Sequence, residues 1–585
     1  MNESKTFRDR EILSAAHGNG KAATIGAFFR LSGPGWLQSA ITLGGGSLGG
    51  ALYLGMLAGY SMLWLQLVAI VIGIIMLSAI SYVTLSTGTR PYSAINEYVN
   101  PVLGVGWITA TILANMIWIV PQFSLCFDSL DTSLGQVEDT RTMKIVISAA
   151  IAILALVVVG LSFKPGWMSR LFDIFLKLMV GCVVICFVMV VVHLFGDGAV
   201  QWNDVLMGFI PNFGHWSEPV PAIDALAKTL SPDAGEFWKN KIVESQQNSM
   251  IGVTATAVGL NMTFLLPYSM LARGWDKPFR GLAKFDLITG MGIPYLVVTS
   301  CIVIASAHAF HAKADAEFLN PDPVVIQTSK LFNSSKKILQ ARYKATAEPA
   351  AYAAFEKLDA EAQSEQMAKF ASQMTTDERK LAATLIKPNA GQLAASLAPV
   401  LGERNANLVF GLGALAMGFS TIIILMLING YAFAEIAGRY ESSVWRLAGA
   451  VAAVLVGFFW WWLWDGQSKT WLIIVASTFG AILLPIAYVS FFALMNSRRL
   501  LGAEKPTGRR MIIWNILMGL GVLGALVQAV GAIMTKINDP VTGGFVIGGV
   551  ATFLLLALVG FSARFRRTEL GPENTTQQTT QQTQA

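Results

Sequence analysis

Apolar residues run along most of this chain in long blocks that are separated by short polar stretches. About 20 consecutive apolar residues suffice for one helix to cross a lipid bilayer. Twelve such blocks are predicted, at residues 34–58, 62–86, 102–125, 144–162, 170–195, 249–272, 285–309, 405–433, 444–464, 470–495, 511–535 and 543–564. The pattern therefore predicts an all-α polytopic membrane protein with about 12 membrane-spanning helices.

The composition supports a membrane protein and excludes other classes. Hydrophobic residues make up 54% of the chain and charged residues only 13%, which is far from the balance of a soluble domain. The Lys and Arg residues are scattered between the spans, so nucleic acid is not an expected partner, whereas the lipid bilayer is. No nucleotide-binding loop, His-Glu-x-x-His motif or Ser-His-Asp set is present, so we predict neither an enzyme nor a bound cofactor. The sequence leaves the oligomeric state open.

The loop charges predict an orientation. With an even number of spans, both termini lie on one side, and the short loops on that side are basic. Positively charged loops remain in the cytoplasm, so both termini are predicted to be cytoplasmic, in the plasma (inner) membrane of the cell. The basic loop residues include Arg90, Lys164, Arg170, Arg273, Lys277, Arg280, Lys284, Arg439, Arg446, Arg498 and Arg499.

The spans and loops divide the chain into successive regions. Ala341 to Met374, within the longest loop, is rich in Ala, Glu, Lys and Gln and predicts one or two exposed helices. The predicted regions are a cytoplasmic segment (1–30), spans one to five (31–196), an extracytoplasmic loop (197–248), spans six to ten (249–496) with an extracytoplasmic helical insertion (311–400), two final spans (497–565) and a disordered cytoplasmic tail (566–585).

Two spans contain features that interrupt helices. Gly44, Gly45, Gly46, Gly49 and Gly50 crowd the first span, and each glycine costs a helix about 1 kcal/mol relative to alanine. We therefore predict a broken helix over Gly44–Gly50. Unwound backbone at membrane depth is tolerated only inside protein or beside an aqueous cavity, which favours a substrate site over simple close packing of helices.

The sixth span carries a comparable interruption. Asn261 and Thr263 are polar at mid-membrane depth, and Pro267 removes a backbone hydrogen bond. The first and sixth spans each open a set of five. Interrupted helices at corresponding positions of two halves are typical of an inverted-repeat transporter. An ordinary proline kink is the alternative explanation for the sixth span.

Several stretches resemble the Nramp family (natural resistance-associated macrophage proteins) of proton-coupled divalent-metal transporters. The resemblance covers most of residues 30–565. It implies the LeuT-like fold, with five plus five inverted helices and two additional C-terminal helices. The matching stretches are Gly33-Pro-Gly35, Phe285-Asp-Leu-Ile, Leu412 to Glu435 around Leu412-Gly-Ala-Leu-Ala-Met-Gly-Phe-Ser420, Leu484-Pro485 and Ser497-Arg-Arg-Leu-Leu-Gly502.

The departures from the family pattern fall at the site itself. The family motif Asp-Pro-Gly-Asn of the first helix stands here as Gly44-Gly45-Gly46-Ser47, and Met-Pro-His of the sixth stands as Asn261, Met262 and Thr263. The tenth-helix Gln is Ser477, and the third-helix acids associated with proton passage are Ile112 and Asn115. The metal-binding carboxylate, the His and the proton-relay acids are thus replaced by neutral residues, which argues against proton coupling.

Two substrate classes fit these residues. The resemblance implies a divalent cation (Mn, Fe or Mg class), held by backbone carbonyls and by Ser47, Asn261 and Met262. Alternatively, backbone N–H groups of the Gly-rich break bind a small organic or anionic, amino-acid-like solute. A transport-inactive sensor or scaffold is a third possibility. The predicted site residues are Thr42, Gly44, Gly45, Gly46, Ser47, Asn261, Met262, Thr263 and Ser477.

One ionisable pair is a candidate for ion coupling. Asp173 and Lys177 are four residues apart in the fifth span, so they can meet on one helix face. The simpler interpretation of this spacing is an intrahelical ion pair.

Overall fold

The computed structural model describes residues 3–134, 140–163, 167–198, 200–386, 402–463, 467–537 and 543–569, with a few positions between 391 and 398. These residues form α-helices joined by short turns, and none of them lies in a β-strand. Nine helices precede the first long loop: α1 (Glu3–Gly18), α2 (Lys21–Leu31), α3 (Pro34–Thr42), α4 (Gly45–Ala58), α5 (Trp64–Thr87), α6 (Pro91–Tyr98), α7 (Pro101–Leu134), α8 (Arg141–Ser162) and α9 (Trp167–Gly196), all within the described residues.

The second part of the chain alternates membrane-length helices with a group of shorter ones. The short helices are α10 (Trp202–Gly208), α11 (Pro221–Lys228), α16 (Pro323–Thr328), α17 (Lys330–Thr346), α18 (Pro349–Phe355), α19 (Ala360–Gln373) and α20 (Thr376–Thr384). Between and after them lie α12 (Pro232–Ala257), α13 (Leu260–Ala272), α14 (Arg280–Leu287), α15 (Ile293–Phe310), α21 (Glu403–Ile436), α22 (Ser443–Phe458), α23 (Trp460–Leu463), α24 (Gln467–Asn496), α25 (Arg498–Leu501), α26 (Gly508–Ile537) and α27 (Gly543–Glu569).

Several of these helices have the length and hydropathy of membrane spans. Within the described residues, seven are long and apolar enough to cross a membrane, and up to nine are if each of two strongly bent pairs is one span. The described parts of all twelve predicted spans are largely helical, but the number of crossings stays a prediction. Among the described helices, α7 and α21 pack against each other extensively near the centre, with α22 and α9 beside α21.

The first span is broken where α3 meets α4, with a bend of 53°. The break lies at Leu43–Gly44, so the prediction of unwound backbone over Gly44–Gly50 was wrong in extent: the glycines from Gly45 onward lie in α4. Lipid offers no partners for free backbone groups, which favours the helix despite its glycines. Close packing adds to this, since a Cβ on Gly55 of α4 would lie 2.4 Å from the Val303 carbonyl oxygen of α15.

The sixth span is broken at Val258–Gly259, between α12 and α13. Pro267 lies inside α13, so the interpretation of this proline as the interruption was wrong. A proline removes only one amide donor, and neighbouring helices compensate for that loss in membrane proteins. The break lies next to Asn261 instead, whose side-chain oxygen accepts a backbone N–H in the first turn of the helix that follows.

The two long loops pack together into a helical lobe. We define the lobe as α11, residues 232–246 of α12, and α16–α20. Glu378 of α20 accepts hydrogen bonds from Trp238 (Nε1, 3.0 Å) and Arg342 (Nε, 3.1 Å), and the ion-paired side chains are each only 10% exposed. Between Ala341 and Met374 three helices contribute, and Arg342 is buried, so the prediction of one or two exposed helices was wrong. Arg342 is buried because Glu378, which also bonds to distant Trp238, pairs with it. No local sequence pattern predicts such long-range contacts.

Glu378→Gln is expected to lower the free energy of unfolding of the lobe by about 1–3 kcal/mol. The amide keeps the volume but removes the negative charge that offsets buried Arg342. Denaturant titration of the purified protein, followed by protease resistance of the lobe, measures the change. Glu365→Gln is the control, because Glu365 pairs with Lys369 in solvent and exposed pairs contribute about 0–1 kcal/mol. Equal effects of both substitutions would contradict the role assigned to Glu378.

Candidate functional site

A cavity lies where the two helix breaks meet α7, α21 and α24. It offers about 70 Å³ to the centres of water molecules. A cavity needs about 10–15 Å³ to hold one water, so this one has room for several. Its lining residues are Ile41, Gly44, Gly46, Ser47, Ala114, Trp118, Gln122, Gly252, Gly259, Leu260, Asn261, Met262, Thr421, Leu425 and Gly480.

At the first break, side chains replace the helical hydrogen bonds that the break removes. Gly45 donates its N–H to Oε1 of Gln122 on α7 (3.0 Å). The Ser47 hydroxyl donates to the Thr42 carbonyl oxygen (2.6 Å). Because Gly45 bonds to Gln122, the Ile41 carbonyl, four residues before it, loses its helical donor at the edge of the cavity.

A second helix stabilises the end of α3. The hydroxyl groups of Ser420 and Thr421 on α21 both donate to the Ala40 carbonyl oxygen, at 3.0 and 3.2 Å. Space here is limited, since a Cβ on Gly44 would lie 2.6 Å from the Thr421 hydroxyl oxygen. Gly44 therefore allows α21 to approach the break closely.

At the second break, Asn261 lies in the first turn of α13 and accepts a backbone N–H there with its own side chain. Its Oδ1 accepts the Met262 N–H at 2.9 Å. Thr263 donates its hydroxyl to the Leu260 carbonyl and accepts a hydrogen bond from the Trp107 indole (3.1 Å). The Thr42 hydroxyl lies 3.4 Å from the Met262 sulfur, which joins the two breaks directly.

The structure places the nine predicted site residues in three groups. Five line the cavity: Gly44, Gly46, Ser47, Asn261 and Met262. Thr42, Gly45 and Thr263 lie behind it and hold the breaks through the hydrogen bonds described above. Ser477 falls on α24, but its side chain is outside the described part of the structure.

Sequence reasoning missed Gln122 and Thr421. Gln122 is buried, lines the cavity and holds the start of α4. The only available signal was a glutamine inside an apolar span, beside Pro121. Polar residues within membrane helices are functional candidates by default, and applying that rule to the third span would have identified Gln122.

The described lining of the cavity is neutral, and it contains no Asp, Glu, His or Cys. Among the described residues, no group of three such side chains is placed to hold a metal ion. The local fields come instead from helix ends. α3 and α12 end at the cavity, and α4 and α13 begin there, so partial negative charge from two carbonyl ends meets partial positive charge from two amide ends.

The coupling candidates Asp173 and Lys177 do not form the predicted intrahelical ion pair. Asp173 pairs with Arg273 at the end of α13 (2.7 Å), and Lys177 donates to the Ser32 carbonyl oxygen (3.2 Å). The prediction of an intrahelical ion pair was therefore wrong, because partners from other segments of the chain bind Asp173 and Lys177 instead. Both residues lie at the start of α3, where buried Asp286 also accepts the N–H groups of Gly33 (3.1 Å) and Gly35 (2.7 Å).

A neutral pair occupies the place where the resemblance implied proton-relay acids. Asn115 of α7 donates from Nδ2 to Oδ1 of Asn429 on α21 at 2.9 Å, and both residues are fully buried. A side-chain amide does not change its protonation state near physiological pH and cannot relay a proton as a carboxylate does. This pair lies one helical turn from Trp118 and two turns from Gln122 along α7.

Two broken helices around a central cavity, within a bundle of apolar helices, define a membrane transporter of the LeuT-like fold. A sequence model described as natural resistance-associated macrophage protein-like matches residues 35–322 and 370–530. The chain belongs to this family, Nramp, whose members are integral membrane transporters of divalent metal ions. The family and the fold predicted from the sequence are thereby confirmed. No curated protein matches the chain significantly in sequence.

Solved structures support the same fold. The manganese transporter of Eremococcus coleocola, in complex with an aromatic bis-isothiourea substituted compound, is 12% identical with a TM-score of 0.61, and the match covers 93% of this chain and 94% of that one. A point mutant of the same transporter gives a TM-score of 0.58 at 12% identity, over 92% of this chain and 93% of that one. At this identity, the likeness concerns the fold alone.

Proposed function

We propose that this protein moves a divalent metal cation of the Mn, Fe or Mg class through the cavity between the α3–α4 and α12–α13 breaks, and that the ion keeps part of its water shell. Family membership supports the cation, and so does the similarity in fold to the manganese transporter of Eremococcus coleocola. The observation that carries the proposal is the cavity itself, which joins both breaks and has room for several waters.

A neutral site can hold a hydrated ion through its waters. Mg²⁺ in particular retains several waters when bound. The Ile41 carbonyl and the lone pairs of Ser47 Oγ accept hydrogen bonds from such waters, and the carbonyl ends of α3 and α12 supply partial negative charge. The third predicted ligand, the Met262 sulfur, already accepts the Thr42 hydroxyl, which favours a hard or hydrated ion over a soft one bound directly.

We further propose that transport is not coupled to protons. The Asn115–Asn429 pair supplies no titratable group between α7 and α21. Asp173 and Lys177 are engaged by Arg273 and Ser32. Those contacts support a role in holding the start of α3, and they make a coupling role for the two residues the weaker alternative.

The proposed orientation places both termini in the cytoplasm of the cell, with the lobe outside the plasma membrane. Ion pairs with basic residues join four separated segments at this face. Arg10 pairs with Asp276, Arg273 with Asp173, and Arg280 with Glu504. The positive-inside rule supports the cytoplasmic assignment of this face.

A small organic or anionic solute is the second candidate, and specific hydrogen bonds favour it. The side-chain oxygens of Gln122 and Asn261 accept backbone N–H groups. Their NH₂ groups consequently have no protein partner among the described residues and remain available as donors at the cavity. Together with the amide end of α4, they suit a carboxylate.

Uptake into proteoliposomes at an imposed potential tests the proposal. We expect protein-dependent Mn²⁺ or Mg²⁺ flux, lowered several-fold by Ser47→Ala and by Asn261→Ala, since each removes a polar group from the cavity. Lys239→Ala, on the exposed surface of the lobe, is the matched control and should leave the flux unchanged. Uptake of amino acids without metal flux would favour the second candidate. No flux of either, from folded protein, would leave a transport-inactive sensor or scaffold.

A further inference from the structure

An exposed apolar surface follows the end of α9. Residues 202–216, which we call the aromatic segment, comprise α10 and a short 3₁₀ turn at Phe213–Trp216. Six large apolar side chains in it are 44–73% exposed: Trp202, Leu206, Met207, Ile210, Phe213 and Trp216. So many exposed apolar residues in fifteen positions mark a contact surface rather than scattered exposure.

The position of the aromatic segment is fixed by two membrane-length helices. Trp202 stacks on Phe195 in the last turn of α9, with ring centroids 3.6 Å apart. Phe213 contacts Trp64, the first residue of α5, edge to face at 5.2 Å. Since α5 and α9 have the length and hydropathy of membrane spans, the segment lies at the depth where both reach the bilayer surface.

The exposed surface continues onto the lipid-facing side of α9. Ile185, Met189 and Val192 lie on one face of that helix and are 49–64% exposed. The stacked pair Phe195–Trp202 connects this face to the aromatic segment. The two surfaces are therefore continuous, and lipid is the expected occupant of the first, because α9 has the length and hydropathy of a membrane span.

The opposite side of the segment is attached to the lobe by hydrogen bonds. Gln246 of α12 donates to the carbonyl oxygens of His215 (2.7 Å) and Glu218 (2.8 Å), and Gln247 donates to that of Trp216 (2.7 Å). Burial lowers the pKa of His215 below its usual value. The segment thus has a polar, fixed side and an apolar, exposed side, as membrane-surface helices have.

We propose that the aromatic segment inserts into the headgroup boundary of the bilayer and anchors the lobe-side half of α12 to the membrane surface. Trp side chains suit this boundary, where an apolar body and a polar N–H are both satisfied, and Phe and Leu side chains are typical of the buried face of helices that lie in it. Because α12 ends at the second helix break, the anchor sets the depth of one wall of the cavity relative to the lipid.

Nitroxide accessibility in lipid nanodiscs tests the anchor. Cysteines introduced at Met207 and Ile210 carry the label, Lys239→Cys on the exposed lobe surface is the control, and the labelled wild-type chain gives the background from its native cysteines. We expect labels at 207 and 210 to collide with dissolved oxygen at least several-fold more, relative to a water-soluble nickel complex, than the label at 239. A ratio equal to that at 239 would show an aqueous segment. Protection from both reagents would show a protein-covered segment. Either result overturns the proposal.

Discussion

Replacing Asp286 by alanine is expected to abolish transport and to lower the free energy of unfolding by about 2–6 kcal/mol, because two buried N–H donors lose their acceptor at about 1–3 kcal/mol each. Asp286 Oδ2 accepts from Gly33 and Gly35 at the start of α3. The packing there is tight, since a Cβ on Gly35 would lie 2.0 Å from the Asp286 carbonyl oxygen. Without the carboxylate, α3 loses the contact that fixes its angle to α14.

The charges around this contact enlarge the expected effect. Arg273 lies against Gly33 and pairs with Asp173, while Lys177 bonds to the Ser32 carbonyl. Removing the negative charge of Asp286 leaves two cations, Arg273 and Lys177, with only the carboxylate of Asp173 nearby. Asp286→Asn keeps an acceptor and should fall between wild type and alanine.

Thermal unfolding in detergent and proteoliposome flux check this prediction together. Asp276→Ala is the matched control. Asp276 pairs with Arg10 at a partly exposed position, where the two side chains are 37% and 49% exposed, so its loss should cost about 1 kcal/mol or less. If Asp286→Ala unfolds at the same temperature as Asp276→Ala, the buried contact does not fix α3.

The sequence predicted the existence of both helix breaks better than their positions. Glycine content and polar residues identify the spans that are interrupted, because those features act locally. The two breaks, however, fall at Leu43–Gly44 and at Val258–Gly259. Their positions depend on hydrogen-bond partners from other helices. Gln122 on α7 takes the Gly45 N–H across 77 positions, and no local propensity contains that contact.

The charged residues illustrate the same limit. A spacing of four residues predicted a pair between Asp173 and Lys177, yet Asp173 bonds to Arg273, 100 positions away. The lobe repeats the pattern, since buried Arg342 pairs with Glu378, which also accepts the Trp238 indole N–H. The sequence of a single chain shows which residues are able to pair, and the packing of helices decides which of them do.

Gln122→Glu is expected to change the charge preference of the cavity by an isosteric substitution of its lining. One carboxylate oxygen can still accept the Gly45 N–H, so the start of α4 stays in place. The second oxygen replaces a free NH₂ group with negative charge. At 4 Å and an effective dielectric constant of 20, a unit charge pair interacts by about 4 kcal/mol, and even a third of that is about tenfold in affinity.

The two substrate classes predict opposite results for this variant. If the substrate is a divalent cation, Gln122→Glu lowers the concentration for half-maximal Mn²⁺ uptake about tenfold or more, and the tighter site slows turnover at saturation. If the substrate is a carboxylate-bearing solute, the same variant loses uptake, because the introduced carboxylate repels the carboxylate of the solute. Gln122→Ala separates charge from capping: it removes the bond to Gly45 without adding a charge, so it should weaken transport in both cases. Unchanged Mn²⁺ affinity in Gln122→Glu, with Gln122→Ala impaired, would place Gln122 outside the reach of the ion and leave it a purely structural cap on α4.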